Sequence, residues 1–130
     1  MQEKKAYEYA VIRLVPQVER EEFLNVGVIL YAASSKFLQV KFHINEQRLR
    51  AFFGNLDINE IQKYLESFER ICKGGKDAGP LGELPTPQRF RWLSATRSTI
   101  VQLSKVHTGL TTDPAEKLLQ LFEQLVLEPV

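Results

Sequence analysis

Residues 21–30 (EEFLNVGVIL) constrain the fold most, because apolar side chains fall on both faces of an alternating pattern. A strand that is apolar on both faces is typically covered on both sides of its sheet. The alternation places one set of side chains on one face: Leu24, Val26, Val28 and Leu30. The opposite face receives Phe23, Asn25, Gly27, Ile29 and Tyr31. We therefore expect a central strand with a neighbouring strand on each side.

Two further strands are expected beside the central one. Residues 7–15 are rich in β-branched and aromatic types, and Pro16 ends the run. Their alternation places Arg13 on the face of Tyr7, Tyr9 and Val11, opposite Ala10, Ile12 and Leu14. The polar connection at 16–20 is short, which favours an antiparallel return. Residues 37–44 predict a third strand with one face in water, since Leu38, Val40, Phe42 and Ile44 alternate with Gln39, Lys41 and His43.

Two helices are indicated by capping residues and a helical period. Asn45 is placed to cap a short helix that ends at Gly54. Its expected inward side chains are Leu49, Phe52 and Phe53. Asp57 and Glu60 predict the start of a longer helix that ends near Gly74 and Gly75. Its expected inner stripe is Ile58, Ile61, Leu65, Phe68 and Cys72.

The second half of the chain carries weaker signals. Residues 73–88 are rich in glycine and proline, which predicts the longest loop. Residues 89–110 are polar and irregular, with a strand expected around Thr99 to Ser104. A closing helix from Pro114 to about Leu127 is predicted by Asp113 as N-cap and by proline at its first position. Its expected apolar stripe is Ala115, Leu118, Leu119, Phe122, Leu125 and Val126.

These elements predict one domain. A chain of 130 residues with 44% hydrophobic composition can bury a single core. It contains no internal repeat and no linker-like boundary. We predict a single α+β domain over residues 1–130, an antiparallel sheet of about four strands with helices packed against it.

Composition argues against several kinds of site. The formal net charge of +1 argues against a dominant electrostatic partner such as nucleic acid or a membrane surface. His43, His107 and the single cysteine, Cys72, have no ligand-like spacing, so we expect neither a metal site nor a cofactor. Cys72 lies on the apolar stripe of its helix and is expected to be an inert core thiol. With no apolar leader or long apolar run, we expect a cytoplasmic protein.

The main candidate for a binding site is a polar, basic run at residues 89–99, continued by Lys105, His107, Thr108 and Gly109. We call it the basic run. No acidic residue lies between Glu83 and Asp113, so its cations have no counterions nearby in the sequence. Guanidinium forks beside hydroxyl groups suit phosphate or carboxylate recognition. The alternative is structural: Arg13, Arg89 and Arg97 would pair with Glu19, Glu21 or Glu22, and Trp92 would lie in the core.

Five segments together resemble a known bacterial family. They are IRLVP at 12–16, EEFLNVGVIL at 21–30, RFRWL at 89–93, RST at 97–99 and HTGL at 107–110. The chain resembles the family catalogued as domain of unknown function 3037 over nearly its whole length. The resemblance implies no activity, but it implies a partner: a HipA-like serine/threonine kinase in a toxin-antitoxin-like context. The positions on these motifs are Arg13, Glu22, Asn25, Gly27, Arg89, Arg91, Trp92, Arg97, Ser98, His107, Thr108 and Gly109.

Three functional hypotheses follow. The first is a non-catalytic binding module that engages a HipA-like kinase or assembles as a homo-oligomer. The second is an enzyme or ligand-binding protein for a phosphorylated or nucleotide-like anion, with Arg91 and Arg97 holding the anion and His107 or Glu22 as general acid or base. Both hypotheses use one expected cleft that holds Arg13, Glu22, Asn25, Arg97, Ser98 and His107. In the first, this cleft or an adjacent surface engages the partner, and the second requires His107 and Glu22 to converge in it. The third is nucleic-acid binding through Arg89, Arg91, Trp92 and Lys105, which the near-neutral charge disfavours.

Overall fold

The computed structural model describes residues 3–95 and 100–127. Its five strands are β1 (Lys5–Leu14), β2 (Leu24–Ala32), β3 (Phe37–Phe42), β4 (Val101–Leu103) and β5 (His107–Thr111). Its four α-helices are α1 (Glu46–Phe53), α2 (Ile58–Lys73), α3 (Thr86–Leu93) and α4 (Pro114–Leu125). Short 3-10 turns occur at Val18–Arg20, Ala33–Ser35 and Lys76–Glu83. Within these described residues, every helix is too short or too polar to cross a membrane.

The strands form one antiparallel sheet, and the helices pack on it, as the sequence predicted. The order is β3-β2-β1, and β4 and β5 both pair with the far edge of β1. β2 therefore has a neighbour on each side, which confirms the expected central position of this stretch. The short connection after β1 makes the expected antiparallel return.

The core lies in two layers, one on each face of the sheet. On one face, α2 and α3 bury Leu65, Phe68 and Phe90 against the sheet. On the other face, α4 buries Leu118 and Phe122. Strand β1 serves both layers, because its alternate side chains enter opposite clusters, as expected for Ala10, Ile12 and Leu14 on one side and Tyr7 on the other.

A β-bulge in β2 changes which side chains face each layer. Ile12 pairs with Gly27 and Arg13 pairs with Asn25, so Val26 has no partner of its own. The extra residue reverses the alternation. Leu24 and Val26 join the α2 layer, whereas Val28 and Leu30 face α4. The prediction of a common face for these four side chains is wrong for this reason.

Glycine is required next to the bulge. A Cβ atom on Gly27 would lie 2.9 Å from the carbonyl oxygen of Lys41 and 3.1 Å from the Ile12 side chain. The neighbouring backbone of β3 could not approach β2 this closely with a larger residue. The strand glycine therefore marks a close backbone approach between β2 and β3.

The edge formed by β4 and β5 is interrupted, and Ser104 fills the gap. The Ser104 N–H donates to the Val11 carbonyl at 2.8 Å. The Val11 N–H donates to Ser104 Oγ, also at 2.8 Å. Ser104 Oγ in turn donates to the Lys105 carbonyl at 2.9 Å. The buried serine hydroxyl thus supplies the partner that a regular strand would have given to β1.

The helix starts agree with the predicted caps. The side chains of Asn45, Asp57 and Asp113 each accept a hydrogen bond from the backbone N–H three residues later. Gly54 and Gly74 end α1 and α2 as expected.

The prediction that certain side chains on these helices face inward was wrong for Phe52, Ala115 and Leu119. Phe52 is 51% exposed, because the short α1 buries only a narrow stripe around Leu49. On α4, Ala115 and Leu119 face outward, whereas Leu121 is buried.

The second half is more regular than the sequence indicated. The Gly-Pro-rich stretch is mostly the 3-10 turns at Lys76–Glu83, followed by helix α3. Residues 89–110, expected to be irregular, contribute the rest of α3 and strand β5. The predicted strand near its middle is present as β4, and the Thr99 end of that prediction lies outside the described residues.

We expect Ser104→Ala to destabilise the fold by about 1–3 kcal/mol, because the buried Val11 N–H then loses its hydrogen bond to the Ser104 hydroxyl. Chemical denaturation of the variant measures this loss. Ser34→Ala, at an exposed position in a turn, is the control and should change the free energy of unfolding by less than about 0.5 kcal/mol. Equal stability of the two variants would contradict the role given to Ser104.

Candidate functional site

Arg89, the first residue of the candidate run, is used to cap a helix. Helix α3 buries Phe90 and Leu93, which turns Arg89 toward the C-terminal end of α2. Its Nη1 donates to the carbonyls of Ile71 and Cys72, each at 2.7 Å, and its Nε donates to Leu84 O at 2.9 Å. The last carbonyls of a helix lack intrahelical donors, and a cation there is favourable. Arg89 thus bonds to backbone carbonyls and to the Thr86 hydroxyl, and to no glutamate in the described part of the chain.

Arg91 and Trp92, the two other candidate site residues on α3, face outward. Arg91 is exposed, and Trp92 is 40% exposed, so Trp92 is not the core residue of the structural alternative. Arg97 and Ser98 lie outside the described residues. Within the part of the chain that the structure describes, the basic run therefore does not gather into a cleft.

Arg13 and Asn25 do lie together, as neighbours across β1 and β2. The Arg13 guanidinium carbon lies 4.2 Å from the centre of the Phe23 ring, in the range of a cation–π contact. Asn25 Nδ2 donates to the Leu125 carbonyl at 3.0 Å, which ties β2 to the end of α4. Among the described residues, Arg13 Nε and Asn25 Oδ1 are buried without a hydrogen-bond partner. A buried donor and a buried acceptor on paired residues suit a water or an amide.

Glu22 and His107, the predicted acid and base, lie at opposite ends of β1. Glu22 is exposed and forms an ion pair with Arg20 just before β2. His107 is exposed on β5 opposite Tyr9, and the two rings stack with centroids 5.1 Å apart. Glu22 lies beyond Leu14 at the other end of β1, and Tyr9 and Leu14 are about 16 Å apart along a strand. Thr108 is exposed opposite Glu8, away from Glu22.

Cys72 is buried in the α2 layer, as expected. Burial raises the pKa of its thiol to about 12, and the nearby Arg89 lowers it by a smaller amount. A protonated, buried thiol is a poor nucleophile. Among the described residues, no three His, Cys, Asp or Glu side chains are grouped to hold a metal ion.

A groove with a polar and an apolar part lies at the end of the sheet where α1, α2 and β4 meet. It consists of two clefts, of about 610 and 480 Å³, that share Asn55, Leu56 and Ile100. Phe52 lines the larger cleft and contacts the Phe53 ring, with ring centroids 4.4 Å apart. Ile100 is 45% exposed. We call these two clefts the end groove.

Sequence reasoning missed the end groove because it treated apolar residues as core. Phe52 and Phe53 are adjacent, and neighbours on a helix point about 100° apart. Phe52 and Phe53 lie three and four residues after the buried Leu49, so both spacings are compatible with its stripe. The helix period alone therefore gave no signal that Phe52 faces outward.

The comparison with known families supplies the identification. A family described as a protein of unknown function, DUF3037, matches residues 9–126. The chain belongs to the DUF3037 family. No curated protein and no solved structure matches it significantly. The DUF3037 match extends from β1 to the end of α4, so it includes the bulge, the Arg89 cap and the end groove.

In this DUF3037 protein we expect Arg89→Ala to lower the free energy of unfolding by about 1.5–3 kcal/mol, because charge-assisted bonds to three carbonyls are lost. Thermal or urea denaturation measures it. Arg91→Ala on the same helix is the matched control and should be within about 0.5 kcal/mol of the unchanged protein. A ligand-binding role without a structural one would predict no difference between the two variants.

We expect the Cys72 thiol to react slowly with iodoacetamide at a pH of about 8 in the folded protein and rapidly in denaturant. Folding raises the thiol pKa from 9.0 to about 12. The protonated thiol therefore favours the folded state, and this contribution is complete below pH 9.0 and declines as pH rises toward about 12. Equal labelling rates in the folded and unfolded protein would contradict a buried thiol.

Proposed function

We propose that this protein is a non-catalytic binding module whose partner is another protein, namely a HipA-like serine/threonine kinase. The observation that carries the binding role is the end groove, where two large apolar side chains, Phe52 and Ile100, remain about half exposed beside a concave surface. Exposed apolar surface with a polar rim is typical of protein interaction sites.

The composition of the end groove fits a protein partner. The smaller cleft is predominantly apolar and is bounded by Leu56, Ile61 and Tyr64. The larger cleft is bounded by the ion-paired Arg20 and Glu22 and by Asn55. Interfaces commonly combine an apolar centre with a rim of polar and charged groups. Phe52 is the side chain best placed to act as an anchor, because aromatic residues dominate binding energy at such centres.

The arrangement of titratable groups favours binding over catalysis. Glu22 and His107 lie at opposite ends of β1, so they are poorly placed to act on one substrate. The Cys72 thiol is buried and protonated. Among the described candidate residues, Arg89 and Asn25 are bonded to helix ends. The anion-handling alternative therefore receives little support from these positions.

The choice of a HipA-like kinase comes from the family resemblance, which implies this kind of companion. The end groove supports a protein partner in general and does not favour this kinase over another protein. The experiment is therefore designed to separate the two.

We expect this protein to co-purify with a tagged HipA-like kinase when the two are co-expressed. Phe52→Asp and Ile100→Asp should each reduce the captured amount about tenfold or more, because a carboxylate in the apolar centre would be buried without a partner. Leu119→Asp is the matched control: Leu119 is 43% exposed on α4, outside the end groove, and its variant should be captured normally.

Three results would contradict parts of this proposal. Failure of the unchanged protein to bind the kinase would reject that partner. Normal capture of both groove variants would leave the partner but reject the end groove. Loss of capture for Leu119→Asp as well would indicate a general effect of added charge.

A further inference from the structure

We propose that the free edge of β3, together with the adjacent face of α2, binds a second copy of this chain about a two-fold axis. In this dimer β3 pairs antiparallel with β3 of the other copy, and α2 runs antiparallel beside α2. The surface is separate from the end groove, so the proposal does not rest on the kinase partnership.

The outer edge of β3 has hydrogen-bonding groups to offer. In the described part of the chain, β3 pairs only with β2. The His43 N–H donates to Val26 O of β2 at 2.8 Å. Because backbone groups alternate along a strand, the N–H and C=O groups of Leu38 and Val40 point away from β2. The strand contains no proline and has a regular register with β2, so little prevents another strand from pairing there.

A cleft of about 700 Å³ runs along this edge, between β3 and α2. Residues 35–40 form one wall. The other wall is the second half of α2, with Glu66, Glu69, Arg70 and Lys73. A strand that paired with β3 would therefore lie directly beside these four charged side chains.

The four charges are arranged symmetrically about the point between Glu69 and Arg70. Glu66 lies three residues before Glu69, and Lys73 lies three residues after Arg70. When two such helices run antiparallel about that point, Glu69 faces Arg70 of the other copy, and Glu66 faces Lys73. This order of charges is complementary to itself, which a two-fold interface requires.

Among the described residues, these four side chains do not form ion pairs with one another. Glu66 with Arg70, and Glu69 with Lys73, have the spacing that allows ion pairs along a helix. Among the described residues, neither pair forms an ion pair. They are free to pair across the axis. Exposed ion pairs add little energy individually, so the backbone pairing of β3 supplies binding and the charges set register and partner.

Sedimentation velocity of the chain alone, from low to high micromolar concentration, tests the dimer. We expect a concentration-dependent species of twice the monomer mass. Glu69→Arg and Arg70→Glu should each weaken dimerisation about tenfold or more, because like charges then face each other twice across the axis. The double variant Glu69→Arg with Arg70→Glu restores the facing pairs and should return the dissociation constant to within about threefold of the unchanged protein.

Lys63→Glu, on the same helix but outside the cleft, is the control for added charge and should dimerise normally. Hydrogen exchange provides a second measurement. The amides of Leu38 and Val40 should become protected as concentration rises, whereas the exposed Lys105 amide, away from β3, should not change.

Each outcome decides the proposal. A chain that stays monomeric throughout, with rapidly exchanging Leu38 and Val40 amides, overturns it. A dimer that tolerates Glu69→Arg, or that the double variant fails to restore, places the interface elsewhere. Protection of these amides only when the kinase is added would show instead that β3 accepts a strand from that partner.

Discussion

The fold depends on satisfying the backbone hydrogen-bonding groups of β1, which is shared by three other strands and buried in two layers. Where β4 ends and β5 has not begun, the Val11 N–H would have no partner, and Ser104 Oγ supplies one. Leaving a buried N–H without a partner lowers the free energy of unfolding by about as much as several exposed ion pairs raise it. The hydroxyl at this position therefore allows the outer edge to be broken without leaving the Val11 N–H unpaired.

The same requirement explains the polar residues that resembled a binding site. Arg89 bonds to carbonyls at the end of α2, and Asn25 bonds to a carbonyl at the end of α4. Gly109 is also structural, because a Cβ there would lie 2.6 Å from the Tyr7 ring. Polar side chains in a small domain have many unpaired helix carbonyls to satisfy, and a guanidinium fork suits carbonyl groups as well as phosphate.

The sequence predicted those elements whose signals are local. Alternation revealed β1 to β3, and Asn45, Asp57 and Asp113 revealed three helix starts. Helix α3 lacks a side-chain cap and begins among prolines, so its start resembled a loop. Strand β5 is mostly exposed and contains Gly109, so it shows no alternation of apolar residues. The bulge at Val26 depends on the partner strand, and the end groove depends on helix placement, so neither could be read from one segment.

Helix α2 connects the two proposed surfaces because its halves differ. Its first half, with Ile61 and Tyr64, lines the end groove, and its second half, with Glu69 and Arg70, lines the β3 cleft. A two-fold dimer through the second half would leave both grooves uncovered, since no groove residue lies on β3 and the groove residues of α2 lie in its first half. Two identical grooves on one rigid dimer could bind a dimeric partner at both sites, and the second contact would then form at a high effective concentration. Weak binding at each groove would suffice for a stable assembly.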